Sequence, residues 1–185
     1  MPIPFPERLQ SSGVSLRMLS AEDVAWIQAA CDRLEMARFL PALPSPYTLA
    51  DAESFVRYAE NAWEEGSSAP FAITATEGEP LGSIEVHLKA TDTSHAGVGY
   101  WLRPEGRGRG AATEAVRLVS SWAFEQLHVG RLSLITDPDN EPSQRVAERA
   151  GFRREGLLRS WHPTPSGRRD CVMFSLLPSD VTPAP

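Results

Sequence analysis

The stretch Pro104-Glu-Gly-Arg-Gly-Arg-Gly-Ala-Ala-Thr113 lies between two segments that differ in hydrophobic period. Residues 97–103 (GVGYWLR) are typical of a strand, whereas residues 111–127 place their apolar side chains at helical spacing on one face. At the start of such a helix several backbone N–H groups have no partner within the helix. The strand, glycine-rich turn and helix therefore predict an anion-binding turn.

The charge of this turn favours the same interpretation. Between Arg103 and Arg109 there are three arginines and one glutamate, a local charge of +2 in a chain whose net charge is −6. The helix dipole adds about half a positive charge, and glycines let a ligand approach the backbone closely. We expect a phosphate group to bind here. The alternative from these residues alone is a solvated glycine-rich connection with incidental arginines.

A dinucleotide-binding turn is a further alternative, because Gly106-x-Gly108-x-x-Ala111 satisfies the permissive glycine pattern. Pro104 and Glu105, however, separate the strand from the glycines, where that pattern requires a tight turn. The next acidic residue at a strand end, Asp137, lies well beyond the spacing of about 20 residues expected for a ribose contact. A Walker A sequence is absent. These features disfavour a nucleotide-binding loop of either kind.

Length and composition indicate one soluble domain over residues 1–185, with loose Pro-rich tails at about 1–8 and 178–185. The 24 acidic side chains outnumber the 18 basic ones, which argues against a nucleic acid partner and favours an amine substrate. Neither a signal peptide nor an apolar run of membrane-spanning length is visible. We therefore expect a cytoplasmic protein without membrane contact.

Cys31 and Cys171 lack metal-type spacing and are expected to be reduced thiols without metal, a long-range disulfide being the alternative.

The remaining pattern predicts a mixed order of strands and helices. Strands are expected at Val14–Met18, Phe71–Ala75, Ile84–Leu88, 97–103, Arg131–Asp137 and Asp170–Leu177. Helices are expected after Ser20, from Thr48 to Gly66, over 111–127 and over Pro142–Ala150, with loops at Leu40–Pro46 and Ser160–Arg169.

The sequence of this turn and its flanking segments resembles a known family. Arg107-Gly-Arg-Gly-Ala-Ala112 fits the R/Q-x-x-G-x-G/A signature of the GNAT acyltransferases, and the fuller pattern is similar to their RimJ/RimL-like branch. Members of that branch transfer acetyl from acetyl-CoA to protein N-terminal amines or small amines. The resemblance spans Val14 to Leu177, and its further motifs are Gly99–Leu102, Thr113–Ala115, Asp137–Asn140 with Ser143, Gly151–Phe152 and Arg169–Asp170.

The resemblance implies an α+β fold with a central, mostly antiparallel, splayed sheet flanked by helices. It also implies that acetyl-CoA is the acyl donor and that the gap in the sheet admits its thioester. The pyrophosphate would lie on the loop amides of Arg107, Gly108, Arg109, Gly110, Ala111 and Ala112. The pantetheine arm would follow Trp101, Leu102 and Arg103 and be completed by Asn140. Of the two aromatic residues Tyr100 and Trp101, alternation along the strand predicts one in the core and one at the substrate cleft.

The resemblance also implies Ser143 as the acid near the CoA sulfur, since the tyrosine that many relatives use would fall at Ala147. Its alternative role is that of an ordinary hydroxyl at a helix start. The base is open, because many relatives carry a glutamate where this chain has Gly97. Glu85 and His87 share the polar face of their strand and are candidates, as is His95. Direct attack without a dedicated base is also possible, and His162 is expected to shape the cleft.

The sequence thus predicts an N-acetyltransferase that moves acetyl from acetyl-CoA to a primary amine by direct attack in a ternary complex. The acceptor would be a peptide N-terminus or a small amine, and the protein a monomer or homodimer. The alternative is a catalytically weak GNAT-fold sensor or interaction module that binds acyl-CoA. That alternative rests on two differences from many relatives, which carry a glutamate where this chain has Gly97 and a tyrosine where it has Ala147.

Overall fold

The described residues form eight strands and five α-helices. The computed structural model describes residues 3, 5–6, 9–40, 43–89, 92–164 and 167–181. The strands are β1 (Leu9–Gln10), β2 (Val14–Met18), β3 (Ser68–Ala75), β4 (Pro80–Lys89), β5 (Asp92–Leu102), β6 (Arg131–Thr136), β7 (Arg153–Thr164) and β8 (Gly167–Leu176). The helices are α1 (Val24–Cys31), α2 (Leu34–Phe39), α3 (Leu49–Glu65), α4 (Ala111–Gln126) and α5 (Glu141–Arg149).

The strands pair into one sheet in the order β1-β2-β3-β4-β5-β6-β8-β7. Neighbouring strands run antiparallel except β5 and β6, which run parallel. Residues of α4 and α5 join the strands in one hydrophobic core, whereas α1 and α3 contribute most of the core on the other face. The predicted mixed α+β fold with a mostly antiparallel sheet is therefore confirmed.

The two long helices begin and end where their sequences predict. Asp51 N–H donates to the Thr48 hydroxyl at the start of α3, and Gly66 ends that helix in a left-handed conformation with φ of 73°. The apolar face of α4, including Ala115, Val119 and Trp122, is buried against the sheet. This packing fixes the N-terminus of α4 beside the end of β5.

The parallel pair opens partway along its length. His95–Val98 of β5 pairs with Arg131–Leu134 of β6, but β5 continues to Leu102 with no partner on that side among the described residues. The two strands therefore leave a gap in the sheet beyond Val98, as the splay predicted from the family resemblance requires.

The prediction of a loop over Ser160–Arg169 is wrong. Its described residues belong to the paired strands β7 and β8, with a register shift between Leu158 and His162. Ser160 adopts a positive φ of 49° at this shift, and its N–H donates to Asp170 Oδ1 at 2.7 Å. Most β7 side chains are exposed, so the segment lacks the alternation by which a half-buried strand is recognised.

Some described residues near the two chain ends contact the rest of the fold. Ile3 is buried and its N–H donates to the Trp63 carbonyl at 3.1 Å, while Asp180 pairs with Arg153 at 2.6 Å. The rest of the predicted tails, residues 1, 2, 4, 7, 8 and 182–185, lies outside the described residues.

Two further sequence expectations bear on the chemistry of the chain. Cys31 and Cys171 are both buried free thiols, which confirms the prediction that they are reduced. Burial raises the pKa of the Cys31 thiol to about 12. Within the described residues, no helix is long and apolar enough to cross a membrane.

Candidate active site

The turn between β5 and α4 presents a row of free backbone donors. Gly108 and Gly110 have φ of 75° and 81°, a region that favours glycine, and open space lies where a Cβ would project from either. Gly110 is the N-cap of the 16-residue helix α4. The N–H groups of residues 108–113 find no acceptor among the described residues. This geometry fits a phosphate-bearing group, whose oxygens would accept from these donors.

The arginines of this turn are held by exposed carboxylates. Arg107 lies 3.2 Å from Glu35 of α2, and Arg109 lies 3.9 Å from Glu79. All four side chains are more than 40% exposed, so each pair contributes at most about 1 kcal/mol. An incoming phosphate can therefore displace these carboxylates at little cost.

Backbone groups of β5 line the gap between β5 and β6. Arg103 N–H donates to the Leu81 carbonyl of β4 at 2.9 Å. Alternate residues of an antiparallel ladder point in opposite directions, so the backbone of Tyr100 and Leu102 faces the gap. The same alternation turns the N–H of Trp101 toward β4. The Leu102 carbonyl accepts from the Arg107 guanidinium at 3.2 Å, so this arginine occupies the edge of the gap.

Tyr100 and Trp101 point to opposite faces of the sheet, as strand alternation predicts. The Trp101 ring lies 5.7 Å from the Trp26 ring of α1. Trp26 donates its indole N–H to Asp23 at 2.6 Å. Tyr100 is directed to the α4–α5 side, and its hydroxyl donates to the Ser143 hydroxyl at 3.1 Å.

Asp23 is the buried anchor of this aromatic pair. Its carboxylate is 1% exposed and accepts from the Arg17 guanidinium at 2.7 and 2.8 Å, and from Ser20 N–H at 2.8 Å. Burial alone would raise the pKa of Asp23, but the hydrogen bonds from Arg17, Trp26 and Ser20 outweigh it and hold the pKa below its ordinary value. Asp23 therefore remains ionised and fixes the position of α1.

The start of α5 places Asn140 and Ser143 at the same end of the helix. The Asn140 side-chain oxygen accepts from Ser143 N–H at 3.2 Å, which caps the helix. Ala147 lies one turn after Ser143 and is fully buried. In the described structure this face of α5 offers one hydroxyl, that of Ser143, toward Tyr100.

The structure brings Glu85 and His87 together on the α3 side of the sheet. Glu85 Oε1 lies 3.3 Å from His87 Nδ1 and also accepts from the Tyr58 and Ser68 hydroxyls. Burial opposes ionisation of Glu85, but these hydrogen bonds and the adjacent imidazole outweigh it, so the pKa of Glu85 lies below its ordinary value. The carboxylate is thus ionised and orients the imidazole through Nδ1.

The other imidazole nitrogen lies over the glycines of β5. Gly97 and Gly99 are the register partners of His87 and Glu85. A Cβ built on Gly99 would meet His87 Nε2 at 3.4 Å, and one built on Gly97 would meet the His87 Cβ at 3.9 Å. Nε2 has no hydrogen-bond partner among the described residues. Since Gly99 is the first residue beyond the paired part of β5, this nitrogen lies at the mouth of the gap.

The two other histidines named from the sequence, His95 and His162, have different surroundings. His95 Nε2 is 3.1 Å from the Ser133 hydroxyl, in the part of the sheet where β5 and β6 are still paired. His162 is exposed on β7 opposite Arg169. Sequence reasoning missed Tyr58 and Ser68 as partners of Glu85, because each contact joins residues far apart in the chain.

The fold, the anion-binding turn and the gap define an acetyltransferase of the GNAT family, and comparison with known proteins agrees. The family model of the acetyltransferase (GNAT) domain matches residues 14–153, so the chain belongs to this family. It is an N-acetyltransferase that uses acetyl-CoA and acetylates an amine.

Individual relatives cover most of the chain. The N-acetyltransferase p20 of Bacillus licheniformis is 27% identical over 173 residues, which are 92% of this chain and 96% of that protein. The spermidine N(1)-acetyltransferase of Escherichia coli is 27% identical over 148 residues, 78% of this chain and 75% of that protein. RimJ of Mycobacterium smegmatis, solved in complex with CoA-disulfide, superposes with a TM-score of 0.83 at 23% identity over 92% of this chain and 84% of that one. The last match shows the fold.

Proposed function

We propose that this chain acetylates a primary amine by direct attack on acetyl-CoA, with His87 as the base and Ser143 as the acid. The observation that carries the proposal is the position of His87 Nε2, above Gly99 where β5 leaves β6. The acceptor would be a peptide N-terminus or a small amine such as a polyamine, the class named for the E. coli relative.

The donor would be held by the turn before α4. Its phosphates would accept from the free N–H groups at residues 108–112 and meet Arg107 and Arg109, whose carboxylate partners are exposed. The Leu102 N–H, which faces the gap, and the N-cap residue Asn140 would bind the pantetheine amides, while the Leu102 carbonyl accepts from Arg107. Bound acetyl-CoA supplies the thioester that the amine attacks.

The base on the acceptor face would be the Glu85–His87 pair. Glu85 Oε1 lies 3.3 Å from Nδ1 and would accept a proton from it, which would fix the tautomer and leave the Nε2 lone pair open. An amine that forms the new C–N bond would lose its proton to Nε2, from which it passes to solvent. The pair would place a proton acceptor, Nε2, above Gly99, two positions along β5 from Gly97, where many relatives carry a glutamate.

The acid on the opposite face would be Ser143. As the C–S bond breaks, the departing sulfur would take the Ser143 hydroxyl proton, and the serine would regain one from solvent. The partner of this hydroxyl, Tyr100, lies on the same face. The sheet thus separates the group that receives a proton from the group that gives one.

Thiol release from acetyl-CoA, measured with a panel of amines, tests the proposal. The panel contains a peptide with a free N-terminus, spermidine and an aminoglycoside. His87→Gln is expected to lower kcat about 100-fold and leave the KM for acetyl-CoA unchanged. The rate of this variant should keep rising with pH, because the amine must then lose its proton unaided.

His128→Asn is the matched control. His128 is exposed, has a positive φ of 54° that asparagine tolerates, and lies after α4 away from the gap. Its variant should retain the kinetics of the unmodified enzyme. Equal rates for His87→Gln and His128→Asn would refute the base. Absence of thiol release with every amine would refute the acceptor class.

A further inference from the structure

The phenol of Tyr100 meets the start of α5 from the neighbouring strand. Its hydroxyl donates to the Ser143 hydroxyl at 3.1 Å, although the two residues lie 43 positions apart. The ring is partly buried against the core that α4 and α5 share. Its place is therefore fixed by packing.

The direction of this hydrogen bond has a consequence for Ser143. A serine hydroxyl has one proton and two lone pairs. The phenol is the more acidic of the two hydroxyls, so Tyr100 is the favoured donor; Ser143 then accepts on one lone pair and keeps its proton for another acceptor. Beyond Tyr100, no hydrogen bond of the Ser143 hydroxyl is found among the described residues. That proton is thus available to a ligand in the gap.

Burial keeps the proton on the Tyr100 phenol, as the donor role requires. Burial raises the pKa of Tyr100 to about 12, so the phenol stays protonated throughout the range of an ordinary assay. Ala147, one turn further along α5, carries only a methyl group and is fully buried. Tyr100 of β5 therefore supplies a phenol on this side of the sheet, where α5 has only the methyl group of Ala147.

We propose that Tyr100 is a positioning residue that orients the Ser143 hydroxyl toward the departing sulfur. This rests on the proposed function, since it assigns Tyr100 a role through the proposed acid. Hydrogen bonds in a chain strengthen one another, so donation by Tyr100 also makes Ser143 a better donor. Loss of the phenolic hydroxyl should slow thiolate departure without weakening the binding of acetyl-CoA.

Tyr100→Phe, Ser143→Ala and the double variant test this inference by thiol release with the best amine of the panel. Tyr100→Phe keeps the buried ring and is expected to lower kcat roughly two- to tenfold at unchanged KM for acetyl-CoA. Ser143→Ala should lower kcat by more. The double variant should match Ser143→Ala within twofold, because Tyr100 acts only through that hydroxyl.

Tyr47→Phe is the matched control, since it removes a phenolic hydroxyl from a buried tyrosine in the core on the other face of the sheet. Its kcat should not change. An unchanged kcat for Tyr100→Phe, with Ser143→Ala impaired, would overturn the positioning role and leave the proposed acid in place. Two other results would also overturn the positioning role. One is a double variant whose loss of kcat is the product of the two single losses, and the other is a change in both KM and melting temperature for Tyr100→Phe. An unimpaired Ser143→Ala would instead refute the acid itself.

Discussion

The substitution Gly110→Ala tests whether the anion-binding turn binds CoA, because its effect on protein stability can be measured apart from its effect on CoA affinity. Gly110 has φ of 81°, and nothing lies within 4 Å of a Cβ built there. The new methyl group therefore meets no atom of the described residues. The stability cost is that of a left-handed alanine, about 1–2 kcal/mol in the free energy of unfolding.

The effect on CoA binding should be larger. The new methyl group projects from the N-cap of α4 into the space where phosphate oxygens would approach the free N–H groups. Losing one charge-assisted hydrogen bond costs about 1.5–3 kcal/mol. At 1.4 kcal/mol per decade, the Kd for CoA should rise about 10- to 150-fold.

Gly78→Ala is the control for this experiment. Gly78 lies in the turn between β3 and β4, with φ of 94° and nothing within 4 Å of its built Cβ. Both variants should lose similar stability in urea titrations, but only Gly110→Ala should lose CoA affinity in calorimetry. Equal CoA affinity in the two variants would refute the assignment of the turn as the phosphate site.

Further predictions concern charge and burial. Asp23→Ala should lower the free energy of unfolding by about 3 kcal/mol, since it leaves buried donors unpaired. The pKa of Asp23 is lowered in the folded state, so its stabilising effect is complete above about pH 4. The effect is lost as the pH falls through the folded-state pKa, and urea titrations across that range measure the loss of stability. Ser120→Ala should stabilise the fold by up to about 1 kcal/mol, because the buried Ser120 hydroxyl has no partner among the described residues. Ser83→Ala should destabilise the fold by about 1 kcal/mol, because the Ser83 hydroxyl donates to a carbonyl at 2.9 Å. Thermal melts compare the two variants. Arg107→Glu should weaken CoA binding by calorimetry, whereas Glu35→Gln should strengthen it by removing a competing carboxylate.

Features of the site that arise within one element could be predicted from the sequence. The free N–H groups before α4 follow from a glycine-rich turn between a strand and an amphipathic helix. The common face of Glu85 and His87 follows from the period of a strand, because Ile84 and Val86 occupy the other face. Asn140 caps α5 at a spacing of three residues from Ser143, as N-cap side chains do.

Contacts between distant elements could not be predicted in the same way. The hydroxyl contact of Tyr100 with Ser143 depends on how α5 packs against β5, and the ion pair of Arg107 with Glu35 joins α2 to the turn across 72 positions. Strand β7 was missed because its exposed side chains leave no period in the sequence. Periodicity reports a difference between two faces, so an element exposed on both faces carries no such signal.

In the proposed mechanism, the gap beyond Val98 would let one strand serve both halves of the reaction. Successive residues of β5 point to opposite faces, so Gly99 lies beneath His87 while Tyr100 meets Ser143 on the other side. A substrate bound in the gap can therefore meet the imidazole from one face and the hydroxyl from the other. Because the sheet lies between them, the two side chains do not hydrogen-bond to each other. Each would therefore remain available for its proposed proton transfer.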